Sequence, residues 1–198
     1  MKNKLAKYLS KNTSLSKELI NKIADTSNII SYKKGTVLLK EGEFSNECYL
    51  ILKGCIRSYL IKNGEEKIIE FYTEEQPVSP KNFGKKIPSK YYLECIEDTV
   101  ACVSTPENEV KIFREFPEIE SACRIMTETI IGDYQSALAD YKTATAEDRY
   151  LKLLKEQPEL IQRVPQYQLA NYLGIKPESL SRIRKRLSKN TANDNFLT

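Results

Sequence analysis

The sequence predicts an α+β fold whose strands and helices are segregated along the chain: an antiparallel β domain to about residue 105, a long helix, and a small helical domain at the end. Three observations predict it. Short runs rich in β-branched and aromatic residues, punctuated by glycine, occupy 29–105. From Glu107 to about Tyr141 apolar residues recur at helical spacing. Beyond them a helix, a glycine turn and a second helix follow at fixed offsets over 164–187.

Composition bounds what such a chain can do. Its 198 residues, 40% of them hydrophobic, suffice for one large domain or two small ones with a real core, which excludes disordered and fibrous classes. There is no histidine, so mechanisms that need an imidazole and the commonest zinc constellations are out. The five cysteines, Cys48, Cys55, Cys95, Cys102 and Cys123, show no CxxC spacing, which argues against a metal cluster and against a secreted disulfide framework. They are expected to be reduced and mostly buried in strands. The N-terminal stretch is interrupted by Lys and Asn and lacks the apolar core of a signal peptide, and no segment approaches a membrane span. A cytoplasmic location is expected.

The elements follow in order. Residues 5–24 read as an amphipathic helix with Leu5, Leu9, Leu19, Ile20 and Ile23 on its apolar face and Ser14 or Ser16 able to cap its second half. Strands are expected in the runs beginning at Ile29, Thr36, Cys48, Cys55, Lys67, Tyr91 and Val100, and Asn63-Gly64 is a strong hairpin signal. The helix over 107–141 carries Ile119, Ala122, Met126, Ile130, Asp133 or Tyr134, Ala137 and Tyr141 at alternating steps of three and four. Such a stripe suits pairing with a second copy, with Ile119, Met126, Ile130 and Ala137 as the seam; packing on the chain's own β domain is the competing use. The small polar segment 142–146 reads as a hinge, 147–190 as a helical domain and 191–198 as a polar tail.

Charge is unevenly placed. The whole chain is +4, yet residues 163–190 carry seven basic residues against the single acid Glu178, a net of +6, leaving −2 on the other 170. One basic end on a near-neutral chain is the footprint of a phosphate-binding partner. Within it, 166–173 reads as a helix burying Leu169, Ala170 and Leu173, Gly174 supplies the positive φ of a tight turn, and Ile175 plugs the crossing. Pro177 suits the first turn of the next helix and Glu178 its positive dipole end. Leu180, Ile183 and Leu187 form the buried stripe, while Glu178, Ser181, Arg182 and Lys185 share the opposite face. Arg and Glu there match guanine and cytosine edges. The basic run alone equally suits a solvated or membrane-surface helix; the turn and stripe before it favour helix-turn-helix DNA binding.

These features resemble transcription regulators of the Crp/Fnr type. The resemblance spans about 20–190 and rests on the glycine ladder Lys34-Gly35, Glu41-Gly42 and Tyr49 to Ile56 around Gly54, and on Leu169 to Leu187. It implies a cyclic-nucleotide-binding-like β-roll (a double-stranded β-helix or jelly roll) over 1–106, a dimerisation helix over 107–141, a hinge at 142–146 and a (winged) helix-turn-helix domain over 147–190. It also implies base reading by Glu178 and Arg182, with Lys176, Ser179, Ser181, Arg184, Lys185, Arg186 and Lys189 at or near the DNA backbone. Where the family's best-known members place a base-reading Arg just before that Glu, this chain has Pro177, so its target site should differ.

In the family's cyclic-nucleotide binders a short cassette carries a Gly-Glu pair and an Arg for the cyclic phosphate. The corresponding stretch, 74–99, has no Gly-Glu pair, and Ser89 or Lys90 stands at the Arg position. Lys81, Lys85, Lys86 and Lys90 could attract an anion, but lysine lacks the arginine fork, and a solvated loop is the simpler account. No dependence on cyclic AMP or GMP is therefore expected. The iron-sulfur branch of the family uses N-terminal cysteines, and none precedes Cys48. The reading is thus a non-enzymatic regulator with no catalytic residue, no metal and no cofactor, whose partners are double-stranded DNA, a second copy of itself and, as a possible contact, RNA polymerase, with no membrane. The alternatives are a cyclic-nucleotide-responsive regulator, or a signalling or scaffold module whose β-roll holds a ligand and whose basic end contacts partners other than DNA.

Overall fold

The computed structural model describes residues 1–194, with side chains as far as Ser188. The chain divides into two compact units, Met1–Gln135 and Ser136–Thr198, which are treated in turn.

The first unit opens with two helices where one was expected over 5–24: α1 (Lys2–Asn12) and α2 (Lys17–Thr26). Thr13 ends α1 in an extended conformation, its hydroxyl and its N–H both donating to the Leu9 carbonyl. Ser16 then caps α2 by accepting from the Leu19 N–H at 3.2 Å. Hydroxyl side chains compete with the helix for backbone partners, and here they win at the middle of the run. Leu5, Ala24 and Leu52 form a small cluster with Leu9, Leu50 and Ile29 around it, so both helices cover one face of the β domain.

That domain has eight strands: β1 (Asn28–Tyr32), β2 (Val37–Leu39), β3 (Cys48–Lys53), β4 (Ile56–Lys62), β5 (Glu65–Tyr72), β6 (Pro77–Val78), β7 (Tyr92–Cys95) and β8 (Thr99–Ser104). They build two antiparallel sheets in the orders β1-β8-β3-β6 and β2-β7-β4-β5, the jelly-roll order of the expected β-roll. Residues 77–78 form a strand that no run of β-branched residues announces. The core lies between the sheets, on Ile51, Ile56, Leu93, Cys95, Ala101 and Val103. Alternation sets the register: in β8, Thr99, Ala101 and Val103 are buried while their neighbours are half-buried. The Asn63-Gly64 hairpin forms as read, both residues at positive φ. Cys55 and Cys95 are buried, Cys48 and Cys102 half-buried and Cys123 exposed, and all five are free thiols. Burial, with Glu109 beside it, pushes the Cys48 thiol up to about 12, which disfavours the thiolate.

The helix expected over 107–141 is also two. Thr105 caps α3 (Pro106–Glu115), which stops at Phe116; α4 (Pro117–Thr143) then runs to the second unit. Pro117 forces the break, because the residue before a proline is pushed out of the helical region and Phe116 sits at φ −137°. Along α4, Ile119 is buried, Met126 and Ile130 are half-buried and Ala137 is exposed. The first half of the expected seam therefore already has cover within its own chain. Ile131, Tyr134, Leu138 and Tyr141, at steps of three, four and three, are each about half exposed.

In the second unit, Lys142 and Thr143 complete α4, and only Ala144 and Thr145 lie outside helix, so the break is narrower than the 142–146 segment. Thr145 starts α5 (Ala146–Glu156) through a capping box in which Asp148 reaches back to the Thr145 N–H at 3.0 Å. α6 (Pro158–Arg163), α7 (Gln166–Tyr172) and α8 (Pro177–Asp194) follow. Their core is Tyr150, Leu153, Leu160, Val164, Leu169, Ala170, Leu173 and Leu180. Among the described residues no strand follows β8, so the expected wing has no counterpart there. α8 reaches into the expected tail, of which 195–198 lie outside the described residues.

Candidate nucleic-acid interface

α7 and α8 are joined by a turn whose hydrogen bonds explain why the chain reverses where it does. The Ile175 N–H donates to the Ala170 carbonyl at 2.9 Å and the Gly174 N–H to the Asn171 carbonyl at 3.0 Å, with Gly174 at φ +70°. This is a Schellman closure, and it satisfies carbonyls that the end of α7 leaves without helical partners. Pro177 then opens α8 at a position where a missing N–H costs nothing. Leu180 is fully buried against α7, and Ile183 and Leu187 are half-buried on the same side.

The opposite face of α8 is open. Glu178, Ser181, Arg182, Arg184 and Lys185 are exposed, as is Lys176 just before the helix. Ser179 is half-buried and accepts from Arg182 Nη2 at 3.3 Å, so those two are preassembled rather than independent. Arg186 is exposed but ion-paired to Glu147 of α5, an engagement that the sequence reading missed. The side chain of Lys189 lies outside the described residues. The helix thus presents a row of exposed cations with a serine hydroxyl and one carboxylate, the residue types that bind phosphates and base edges.

The lysines of the β-roll loop are arranged differently. Lys81, Lys85, Lys86 and Lys90 are all exposed, whereas Ser89, one of the two residues at the cassette's Arg position, is buried and spent on the turn: its hydroxyl donates to the Tyr91 carbonyl at 2.8 Å and accepts from the Tyr91 N–H at 3.2 Å. Beside that loop is a cleft of about 530 Å³ whose lining includes Ser79, Phe83, Glu109, Phe113, Glu120 and Arg124. Its single guanidinium is paired with Glu128 at 2.9 Å and faces two carboxylates, which is a poor seat for a phosphate. Among the described residues there is no cluster of three or more metal-ligating side chains, and no helix is long and apolar enough to cross a membrane.

Sequence reasoning also missed Arg149 on α5. It bonds the Ala144 and Leu173 carbonyls, each at 2.9 Å, and stacks on Tyr141. No periodicity announces a side chain that bridges three segments.

Comparison with known proteins agrees with this architecture. Residues 29–115 match the cyclic nucleotide-binding domain family. The chain is similar to FixK2 from Bradyrhizobium japonicum, with 21% identity, 84% of this chain and 86% of that chain covered, and a TM-score of 0.68. It is also similar to the c-di-GMP responsive global regulator CLP of Xanthomonas campestris, at 16% identity over 89% of this chain and 93% of that chain with a TM-score of 0.65. The catabolite activator protein of Thermus thermophilus follows at 16% identity, 90% and 86% coverage and a TM-score of 0.53. No curated protein matches the chain. Residues 29–115 are therefore similar to the cyclic nucleotide-binding domain family, and the chain that carries them has the fold of the Crp/Fnr-type transcription regulators.

Proposed function

We propose that the protein is a DNA-binding transcription regulator that acts in the cytoplasm as a homodimer, reads a pseudo-palindromic site with α8, and does not depend on cyclic AMP or GMP. The observation that carries the proposal is the exposed face of α8, where Glu178 in the proline-started first turn and Ser181, Arg182 and Lys185 after it point away from the buried Leu180. Two copies would present two such helices about one DNA turn apart, roughly 34 Å, in successive segments of the major groove. Glu178 and Arg182 would specify bases; Lys176, Ser179, Ser181, Arg184, Lys185, Arg186 and Lys189 would hold the backbone. RNA polymerase is a possible contact of the bound dimer. The loop lysines would leave the β-roll without a phosphate seat.

The test begins with selection of a site from random DNA by the purified chain, with and without either cyclic nucleotide, and the same site is expected in both. On that site Arg182→Ala should cost about 1–3 kcal/mol and relax preference at one base pair per half-site. Lys185→Ala should weaken all sequences alike and reduce the salt slope by about 1. If both variants bind like the wild type, α8 is not the reading helix. Salt-insensitive association with no retention of DNA would favour the signalling or scaffold alternative.

A further inference from the structure

Arg149 belongs to neither the exposed face of α8 nor the core stripe of α5, yet it touches the end of α4 and the end of α7, the helix before α8. Its Nη1 donates to the Ala144 carbonyl, where α4 has just ended, and its Nη2 to the Leu173 carbonyl, where α7 ends. Both acceptors lie where a helix terminus leaves carbonyls without helical partners, and a cation is favoured there by both helix dipoles. The guanidinium lies 4.5 Å from the ring centroid of Tyr141, in the last turns of α4. The Tyr141 hydroxyl in turn lies 3.6 Å from where a Cβ on Gly174 would be, so the ring reaches the α7–α8 turn itself. One side chain thus fastens the end of α4, the start of α5 and the turn before α8.

Two other ties span this region, Lys152 to Asp140 at 2.7 Å and Arg186 to Glu147, but their side chains are substantially exposed and such pairs contribute little. Arg149 is half-buried, and its Nε is buried with no hydrogen-bond partner. The site also requires arginine: a lysine ammonium has no planar fork to meet two carbonyls while stacking on a ring.

We propose that Arg149 is a positioning residue for DNA reading, which holds the α7–α8 pair at a fixed angle to the end of α4 and so sets the half-site spacing that the protein accepts. The inference rests on the DNA reading above and adds a residue and a role to it.

Arg149→Lys keeps the charge and removes the fork. Affinity is measured on a series of sites in which the half-site spacing changes one base pair at a time. The variant should lose about tenfold on the preferred spacing while its affinity one base pair to either side is retained, the magnitude of one charged hydrogen bond. A merely structural role would lower affinity by one factor at every spacing, and that result, or no change at all, overturns the proposal. Trypsin digestion without DNA forms the second arm. The fragment ending at Lys142 should appear several times faster in the variant, and a wild-type rate overturns the fastening. Should Arg149→Lys fail to fold, Tyr141→Leu, which removes the ring and leaves the two hydrogen bonds possible, is expected to flatten the spacing preference in the same direction. If the wild type retains no DNA at any spacing, the DNA reading falls, while the digestion still decides whether Arg149 holds the junction.

Discussion

The side chain of Arg57 is 7% exposed, yet it is charged and lies near the start of β4. Its Nε and Nη2 donate to Glu94 Oε2 of β7 at 3.0 and 2.6 Å, and its Nη1 to Glu66 Oε2 of β5 at 2.6 Å. The guanidinium also covers Tyr59 at 4.3 Å, which stacks on Tyr92. Burial by itself would lower the Arg57 pKa, but the hydrogen bonds to Glu66 and Glu94 outweigh it and the group is held more firmly charged. Arg57→Met should therefore destabilise the β-roll by about 2–3 kcal/mol in urea unfolding, a buried-pair loss discounted because both carboxylates keep some water. Glu94→Gln should cost more than Glu66→Gln, since the two side chains are 21% and 46% exposed. An equal cost would mean that the network does not depend on burial. None of this was legible in the sequence. Arg57 and Glu94 are 37 residues apart, and a strand with one charge in it reads as a strand with one solvated position.

Among elements, the turns were the most legible part. The Gly174 turn and the Asn63-Gly64 hairpin lie where local chemistry placed them, because positive φ is a property of one or two residues and needs no distant partner. Two glycines separate local from tertiary demands. Gly174 sits at φ +70° with nothing nearer a Cβ than 3.6 Å, so Gly174→Ala should cost only the conformational strain, about 1–2 kcal/mol. Gly54, at φ +104°, would bring a Cβ to 2.6 Å from Thr99 Cα and 2.8 Å from the Asp98 carbonyl. Gly54→Ala adds that backbone collision to the strain and should cost about 2–4 kcal/mol by thermal unfolding. Similar losses at the two sites would show that the close approach of the 53–55 turn to β8 has no energetic weight. Helix lengths were less legible. Periodicity ran straight through residues 13–16 and 116, because a 3.6-residue pattern continues across a short break, although Ser16 and Pro117 stood there to mark each restart.

For the whole molecule, the proposed homodimer requires that one chain become two reading heads. In α4 the apolar residues divide by position: Ile119 is buried and Met126 and Ile130 are half-buried, whereas Ile131, Tyr134, Leu138 and Tyr141 stay about half exposed. The proposed dimer seam is accordingly rotated from the line Ile119, Met126, Ile130, Ala137 toward Leu138. Leu138→Glu should yield monomers in sedimentation at micromolar concentration and lower affinity for a full site by about 100-fold, because the second head loses its tether. Ile125→Glu, an exposed position roughly 140° away around the helix, should leave both unchanged. Dissociation by Ile125→Glu and not by Leu138→Glu would place the seam on another face.

The sequence by itself determined the segregation of strands and helices, the two glycine turns and the concentration of +6 within 163–190, since each depends on residue type and short-range spacing. Only the tertiary structure decided which half of the α4 stripe is covered, that Ser89 is consumed by its own turn, that Arg57 is held by carboxylates from two other strands, and that Arg149 joins α4, α5 and the turn before α8. These are contacts between residues far apart in the chain, and their energy comes from desolvation and geometry that exist only once the elements are packed.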